Sequence, residues 1–176
     1  IDKELGLDDS LTQLVSAKTG EGIEGLFEAI VTCFPPPSGD AAAPLQALIF
    51  DCHYDSYRGV IVHVRVMNGT IKAGDIIRMM STGTEYKAEQ VGLFKIDYEE
   101  AGALEAGDVG YIIAGIKTVS DVNVGDTITL AAKPAPEALA GFKEVKPVVY
   151  SSIYPMDSND YEELKSSIEK LKLNDA

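Results

Sequence analysis

The chain has 176 residues, a formal net charge of −13 and 45% hydrophobic residues. That length holds one or two domains, and that apolar share supplies a core and excludes an intrinsically disordered chain. No apolar run approaches the ~20 residues of a membrane-spanning helix, and Ile1-Asp2-Lys3-Glu4 is no signal peptide. The start lacks a methionine, so the chain reads as a piece of something longer. Two cysteines, Cys33 and Cys52, make no disulfide framework and point to a reducing compartment. The acidity speaks against a free-standing nucleic-acid binder, which is usually basic. The charge is uneven, however: Arg58, Arg65, Lys72, Arg78 and Lys87 face only Asp75 and Glu85 over the stretch 58–87, which is net +3. Such a stretch either meets a phosphate backbone or solvates the outside of a sheet.

In chain order, Leu11–Ser16 reads as a short strand and Ala17-Lys18-Thr19-Gly20-Glu21-Gly22 as a loop. Ile23, Leu26, Phe27, Ile30, Val31 and Phe34 then fall at the spacing of an amphipathic helix. A lone βα unit cannot bury both of its faces, so the rest of its domain is expected upstream of Ile1. Pro35-Pro36-Pro37 stops the helix, and residues 36–44 read as an extended linker.

From Leu45 to about Ala135 the pattern is all-β. Strands are expected at Leu48–Cys52, Val60–Val66, Ile76–Met80, Tyr86–Val91, Val109–Ile113 and Thr127–Leu130. Gly-Asp stands three times just before a strand, at Gly74-Asp75, Gly107-Asp108 and Gly125-Asp126. Glycine supplies the positive φ of a tight turn and aspartate can accept from the turn backbone. About 90 residues of short strands are expected to close into a small barrel, which removes the sheet edges.

A third segment follows Lys133-Pro134-Ala135-Pro136. Pro147–Tyr154 is a strand candidate, and Asn159 with Glu162 reads as a capping box. Tyr161, Leu164, Ile168 and Leu171 make one helical face. Asp160, Glu162 and Glu163 open that helix and Lys165, Lys170 and Lys172 close it, which suits the helix dipole. One strand and one helix make an incomplete layer.

Few residues carry chemistry on their own. Ser16-Ala17-Lys18 lies between a predicted strand and a helix, where a polar βα loop is the plain reading and a base-contacting loop the functional one. Asp51, His53 and Asp55 alternate onto one strand face with Cys52 on the other. A metal needs three or four converging ligands, so this reads as a polar strand face. His63, between Val62 and Val64 with no second histidine nearby in sequence, reads as a packed or surface residue. The 176 residues contain no G-x-x-x-x-G-K-[ST], G-x-S-x-G, H-E-x-x-H or paired C-x-x-C.

The succession Ser16-Ala17-Lys18-Thr19-Gly20, helix, Pro35-Pro36-Pro37, then Ala43-Pro44-Leu45-Gln46-Ala47-Leu48-Ile49-Phe50-Asp51 resembles the LepA-type translational GTPases, the elongation factor 4 family. Tyr57-Arg58-Gly59-Val60, Ala106-Gly107-Asp108-Val109-Gly110-Tyr111, Val124-Gly125-Asp126-Thr127-Ile128, Gly141-Phe142-Lys143-Glu144-Val145-Lys146-Pro147 and Leu173-Asn174-Asp175-Ala176 extend the likeness over nearly the whole chain. Cys52-His53 departs from the serine and bulky residue expected there, which weakens Asp51–Asp55 as a contact.

The resemblance implies a mainly β chain: a translation-factor β-barrel (domain II) flanked by the C-terminal βα end of a P-loop GTPase domain and the first βα of a ferredoxin-like α+β domain. The implied boundaries are 1–35 for the end of the GTP-binding domain, 36–44 for the linker, 45–135 for the barrel and 145–176 for the start of the third domain. It implies that the full-length protein binds GTP with Mg²⁺ and hydrolyses it when stimulated by the ribosome, in back-translocation or subunit maturation. The Ala17 N–H would meet guanine O6, Ser16 would brace the loop and the Lys18 stem would flank the base. Catalytic residues would all lie upstream, leaving this piece inactive alone. The barrel would contact small-subunit RNA and ribosomal proteins, with Arg58, Gly59, Arg65, Lys72 and Arg78 as candidate contacts. The implied setting is the bacterial cytoplasm, with peripheral inner-membrane association of the full-length family or an organelle matrix as variants. The alternative from another class is a stand-alone β-barrel interaction module for protein or RNA without nucleotide chemistry.

Overall fold

The computed structural model describes Gly6 and residues 10–95, 98–117, 121–141 and 148–174. It divides into two compact units, residues 1–37 and 38–176.

In the first unit, α1 (Ile23–Cys33) forms at the predicted place. Phe34 caps it with its N–H on Ile30 O at 3.0 Å, and the three prolines follow. Its apolar face is uncovered among the described residues: no helix residue is buried, and Phe27 and Val31 are 62% and 78% exposed. The strand expected at Leu11–Ser16 does not form; only an isolated bridge joins Ser16 to Glu21. A strand exists by pairing, and the described residues of this unit offer Leu11–Val15 no neighbouring strand.

The second unit is built on an eight-stranded antiparallel sheet in the order β5-β4-β10-β1-β2-β9-β6-β7, with a separate β3–β8 ribbon. The strands are β1 (Gln46–Asp55), β2 (Gly59–Asn68), β3 (Thr70–Lys72), β4 (Ile76–Met79), β5 (Glu85–Lys87), β6 (Gln90–Phe94), β7 (Tyr98–Glu100), β8 (Ala103–Glu105), β9 (Val109–Ile116) and β10 (Thr127–Leu130). The segment expected as one strand, Tyr86–Val91, is two. Its first part pairs with β4 through Ile77–Tyr86, and its second with β9 through Val91–Ile112. One bent stretch of chain thus pairs with β4 at one end of the sheet and with β9 toward the other, and β4, β10, β1, β2, β9 and that stretch follow one another around a closed barrel. The bend at Ala88–Glu89 is the cost of changing partners.

Alternation fills the interior. Val60, Val62, Val64 and Val66 point inward from β2, and Ile49, Cys52, Ile77, Met79, Ile112, Ile116 and Ile128 meet them, all fully buried. The Gly-Asp turns behave as expected. Gly74, Gly107 and Gly125 have positive φ; the Asp75 carboxylate accepts from Lys72 N–H and that of Asp108 from Glu105 N–H, each at 2.8 Å. The Asp126 carboxylate instead reaches across the sheet to the Ser81 N–H and hydroxyl, at 3.0 and 2.6 Å.

The latter half of the predicted linker is bound to the barrel. Asp40 O accepts from Gly69 N–H at 2.8 Å, and Asp40 N–H donates to Asn68 Oδ1 at 3.1 Å. Residues 133–141 form a strap over β10: the buried Thr129 and Thr127 hydroxyls accept from Ala135 and Leu139 N–H at 2.8 and 2.9 Å. At the far end, α2 (Tyr161–Asn174) follows a 3₁₀ turn, Ser158–Asp160. The cap is Asp157, whose carboxylate accepts from Asn159 N–H at 2.9 Å, rather than Asn159. The helix lies against β1, with Lys170 Nζ 4.9 Å from the Tyr54 ring centre. No strand forms in the described part of Pro147–Tyr154, where Val148, Val149 and Tyr150 are exposed and unpaired. Pro147 itself, the Phe142–Pro147 motif and Asp175-Ala176 lie outside the described residues.

Candidate functional site

Two places concentrate the residues singled out by sequence. The first is the loop 16–22. The Ser16 N–H donates to Glu21 O at 3.0 Å, its carbonyl accepts from Gly20 N–H at 2.8 Å and its hydroxyl from Thr19 N–H at 3.3 Å. Every polar group of Ser16 is spent on closing the loop. The Ala17 and Lys18 N–H groups donate to nothing among the described residues, and both side chains are exposed. The result is a pinned loop offering free backbone donors beside the start of α1, an arrangement suited to a ligand oxygen.

The second place is the β1–β2 turn. The Asp55 carboxylate accepts from both Tyr57 and Arg58 N–H at 2.8 Å. Those two bonds, Arg58's first, hold the Asp55 carboxyl below its ordinary value. Tyr57 is 97% exposed and Arg58 is exposed. Together with Gly59, Glu89, Gln90 and Lys117 they line an open cleft of about 460 Å³ at the end of β2 and β9. Gly59 itself is placed by backbone need: its φ is +76°, and a Cβ there would lie 2.4 Å from Ile116 O.

The remaining candidates lie apart from this cleft. Arg65 is exposed on β2, seven residues from Arg58 and so roughly 23 Å along the strand. Lys72 ends β3 and is exposed. Arg78 is engaged by Glu85, Nε at 2.9 Å and Nη2 at 2.5 Å from the same oxygen. Between the strands of Arg65 and Arg78 lie β1 and β10, the latter under the strap. Arg58 with Lys117 is therefore the cationic pair that shares a cavity, and Lys117 is the member that sequence reading missed.

Sequence reading also missed a chain of side chains on the outer wall. Phe50 is an extra residue in the β1–β2 ladder, and the bulge turns both Phe50 and Asp51 outward while Cys52 stays buried. Asp51 then pairs directly with His63. His63 Nδ1 lies 3.2 Å from Asp51 Oδ2, and His63 Nε2 lies 3.1 Å from His53 Nδ1. His63 therefore has a second histidine beside it, brought by strand pairing rather than by sequence proximity. Phe94 and Tyr98 cover its ring, at centroid distances of 4.6 and 6.3 Å. Among the described residues no group of three or more His, Cys, Asp or Glu side chains is arranged to hold a metal ion.

Residues 59–129 match the family described as elongation factor Tu domain 2. Among solved structures, the apo form of translation elongation factor SelB from Methanococcus maripaludis superposes with a TM-score of 0.57 at 20% identity, over 65% of this chain and 24% of that one. That likeness is one of fold. Over all 176 residues the chain is 67% identical to elongation factor 4 of Treponema denticola and 62% identical to that of Desulfotalea psychrophila. It spans 29% and 30% of those proteins. With identity this high along its entire length, and with the translation-factor barrel at its centre, the chain belongs to the elongation factor 4 family.

Proposed function

We propose that this chain is the middle of a ribosome-stimulated GTPase acting in translation. The observation that carries the reading is the full-length identity with elongation factor 4 proteins. In this reading, residues 1–35 end the GTP-binding domain, 45–135 form the ribosome-facing barrel and 145–176 begin a third domain. The uncovered apolar face of α1 packs on the remainder of the GTP-binding domain, which lies in the part of the relatives this chain does not span. The Ala17 N–H donates to guanine O6, which adenine lacks, so the loop helps select the base. Ser16 holds the loop in shape and the Lys18 stem flanks the base. GTP, with Mg²⁺, is held mainly by residues outside these 176, so the chain alone neither binds it measurably nor hydrolyses it. Arg58 and Lys117 meet RNA phosphate of the small subunit, with Arg65 and Lys72 as outlying contacts. The setting is the bacterial cytoplasm.

The test is GTP hydrolysis by the full-length protein with and without ribosomes. Strong stimulation is the expected result, and no hydrolysis in either condition would overturn the reading. For the surface, Arg58→Glu in the full-length protein is expected to weaken ribosome co-sedimentation and to flatten its salt dependence. Unchanged binding across several salt concentrations would remove Arg58 from the interface.

A further inference from the structure

None of the Asp51–His63–His53 chain lines the cationic cleft, and its geometry constrains where protons sit. If His63 Nδ1–H donates to Asp51, His63 Nε2 is left as an acceptor when the ring is neutral. The only proton able to lie on the 3.1 Å contact then belongs to His53 Nδ1. The neutral pair is thus specified as Nδ1–H on both rings. One added proton also fits: His63 as imidazolium donates to Asp51 and to His53 Nδ1 at once. A second added proton does not, because two N–H groups would then point at each other across 3.1 Å.

The contact also ties elements together. His63 stands on β2, and Asp51 and His53 on β1. Tyr98 of the edge strand β7 places its hydroxyl 3.4 Å from His63 Nε2. Phe94 of β6 stacks edge-on against His63, and Tyr98 against Tyr111 of β9, at 4.9 Å between centroids. Among the described residues, the groups facing the pair are the Asp51 carboxylate on His63, the Asp55 carboxylate whose charge interacts with His53, the phenols of Tyr98 and Tyr111, and the uncharged Phe94 and Phe50 rings. All three residues of β7 are exposed, so it has little besides its ladder and this cluster to hold it. Beneath Phe94 lies a small apolar cluster of Ile61, Tyr111 and Ile113, separate from the barrel core.

We propose that His53 and His63 form a single proton-sharing unit that latches the β6–β7 hairpin onto the barrel wall, and that charging both rings releases the hairpin and uncovers the Ile61–Tyr111–Ile113 patch. Burial, partly offset by Asp51 and reinforced by His53, holds the His63 imidazole below its ordinary value, which agrees in direction. In the window just below the ordinary imidazole value the unfolded chain binds a proton that the folded chain does not. Stability therefore falls as the pH drops through that window.

The chain contains only these two histidines, so their nuclear magnetic resonance signals can be followed without assignment by mutation. Expected are two Nδ1–H tautomers at neutral pH and two titration steps separated by at least about tenfold in proton affinity, as coupled sites require. Amide exchange of Val91–Phe94 and Tyr98–Glu100, corrected for intrinsic rates, should accelerate at least about tenfold across the second step while β2 stays protected. His53→Gln, at a partly buried ring, should leave the fold intact and His63 titrating in one step. Two independent titrations unaffected by His53→Gln, an Nε2–H tautomer at either ring, or no preferential exchange in β7 would each overturn the latch.

Discussion

Gly59 separates a backbone requirement from a binding role, and Gly59→Ala tests which it serves. The residue adopts φ +76°, a conformation costing a non-glycine residue about 1–2 kcal/mol. The added methyl would begin 2.4 Å from Ile116 O, a backbone atom within the β2–β9 pairing that cannot swing away as a side chain would. Shifting it is an overpacking event of about 1–3 kcal/mol. Together these give about 2–5 kcal/mol, a sizeable part of the 5–15 kcal/mol by which domains are ordinarily stable. At roughly 3–5 °C per kcal/mol for a unit of this size, the midpoint should fall by at least about 6 °C. The chain has no tryptophan, so thermal unfolding is followed by far-ultraviolet circular dichroism. Arg58→Ala is the companion variant, with an expected change within about 0.5 kcal/mol because its side chain is exposed. A Gly59→Ala midpoint within about 2 °C of the parent would refute the reasoning and return Gly59 to the list of direct contacts.

Ile128→Ala, at a fully buried position of β10, should cost about 2–5 kcal/mol in denaturant unfolding. Thr129→Val leaves the Ala135 N–H without its acceptor inside the strap; a loss of about 1–3 kcal/mol and faster amide exchange at Ala135 are expected. The Tyr86 hydroxyl donates to Asp121 Oδ2 at 2.6 Å, and burial, then this bond and charge, push its phenol up to about 12. A raised value means a contribution that is complete below the ordinary phenol range and lost as the pH climbs through it. Ultraviolet titration should show a phenol ionising late that is lost in Tyr86→Phe.

Much of the barrel is readable from local pattern because its causes are local. The alternating valines of Val60–Val66 state which face is buried, and the Gly-Asp pairs state where the chain turns. The strands missed in sequence, Thr70–Lys72, Tyr98–Glu100 and Ala103–Glu105, are three residues each. Runs that short carry too little periodicity to stand out from turns. The two strands expected outside the barrel, Leu11–Ser16 and Pro147–Tyr154, have strand-like composition, but a strand needs a neighbour and neither has one among the described residues. For the candidate site, Ser16-Ala17-Lys18 and Tyr57-Arg58-Gly59 were legible as motifs. Lys117 was not legible as a contact, since nothing in its own surroundings links it to Arg58 across the β2–β9 pair.

By itself the sequence determined the all-β centre, the buried face of each long strand, the three Gly-Asp turns, the place of α1 and the family likeness. These follow from residue type and spacing within a few positions of one another. Tertiary structure alone decided that residues 85–94 bend to pair first with β4 and then with β9. It also decided that Phe50 bulges outward, and that His63 meets His53 and Asp51. Each depends on which residue of a distant strand stands opposite, and a slip of one residue in that register would turn every side chain to the other face.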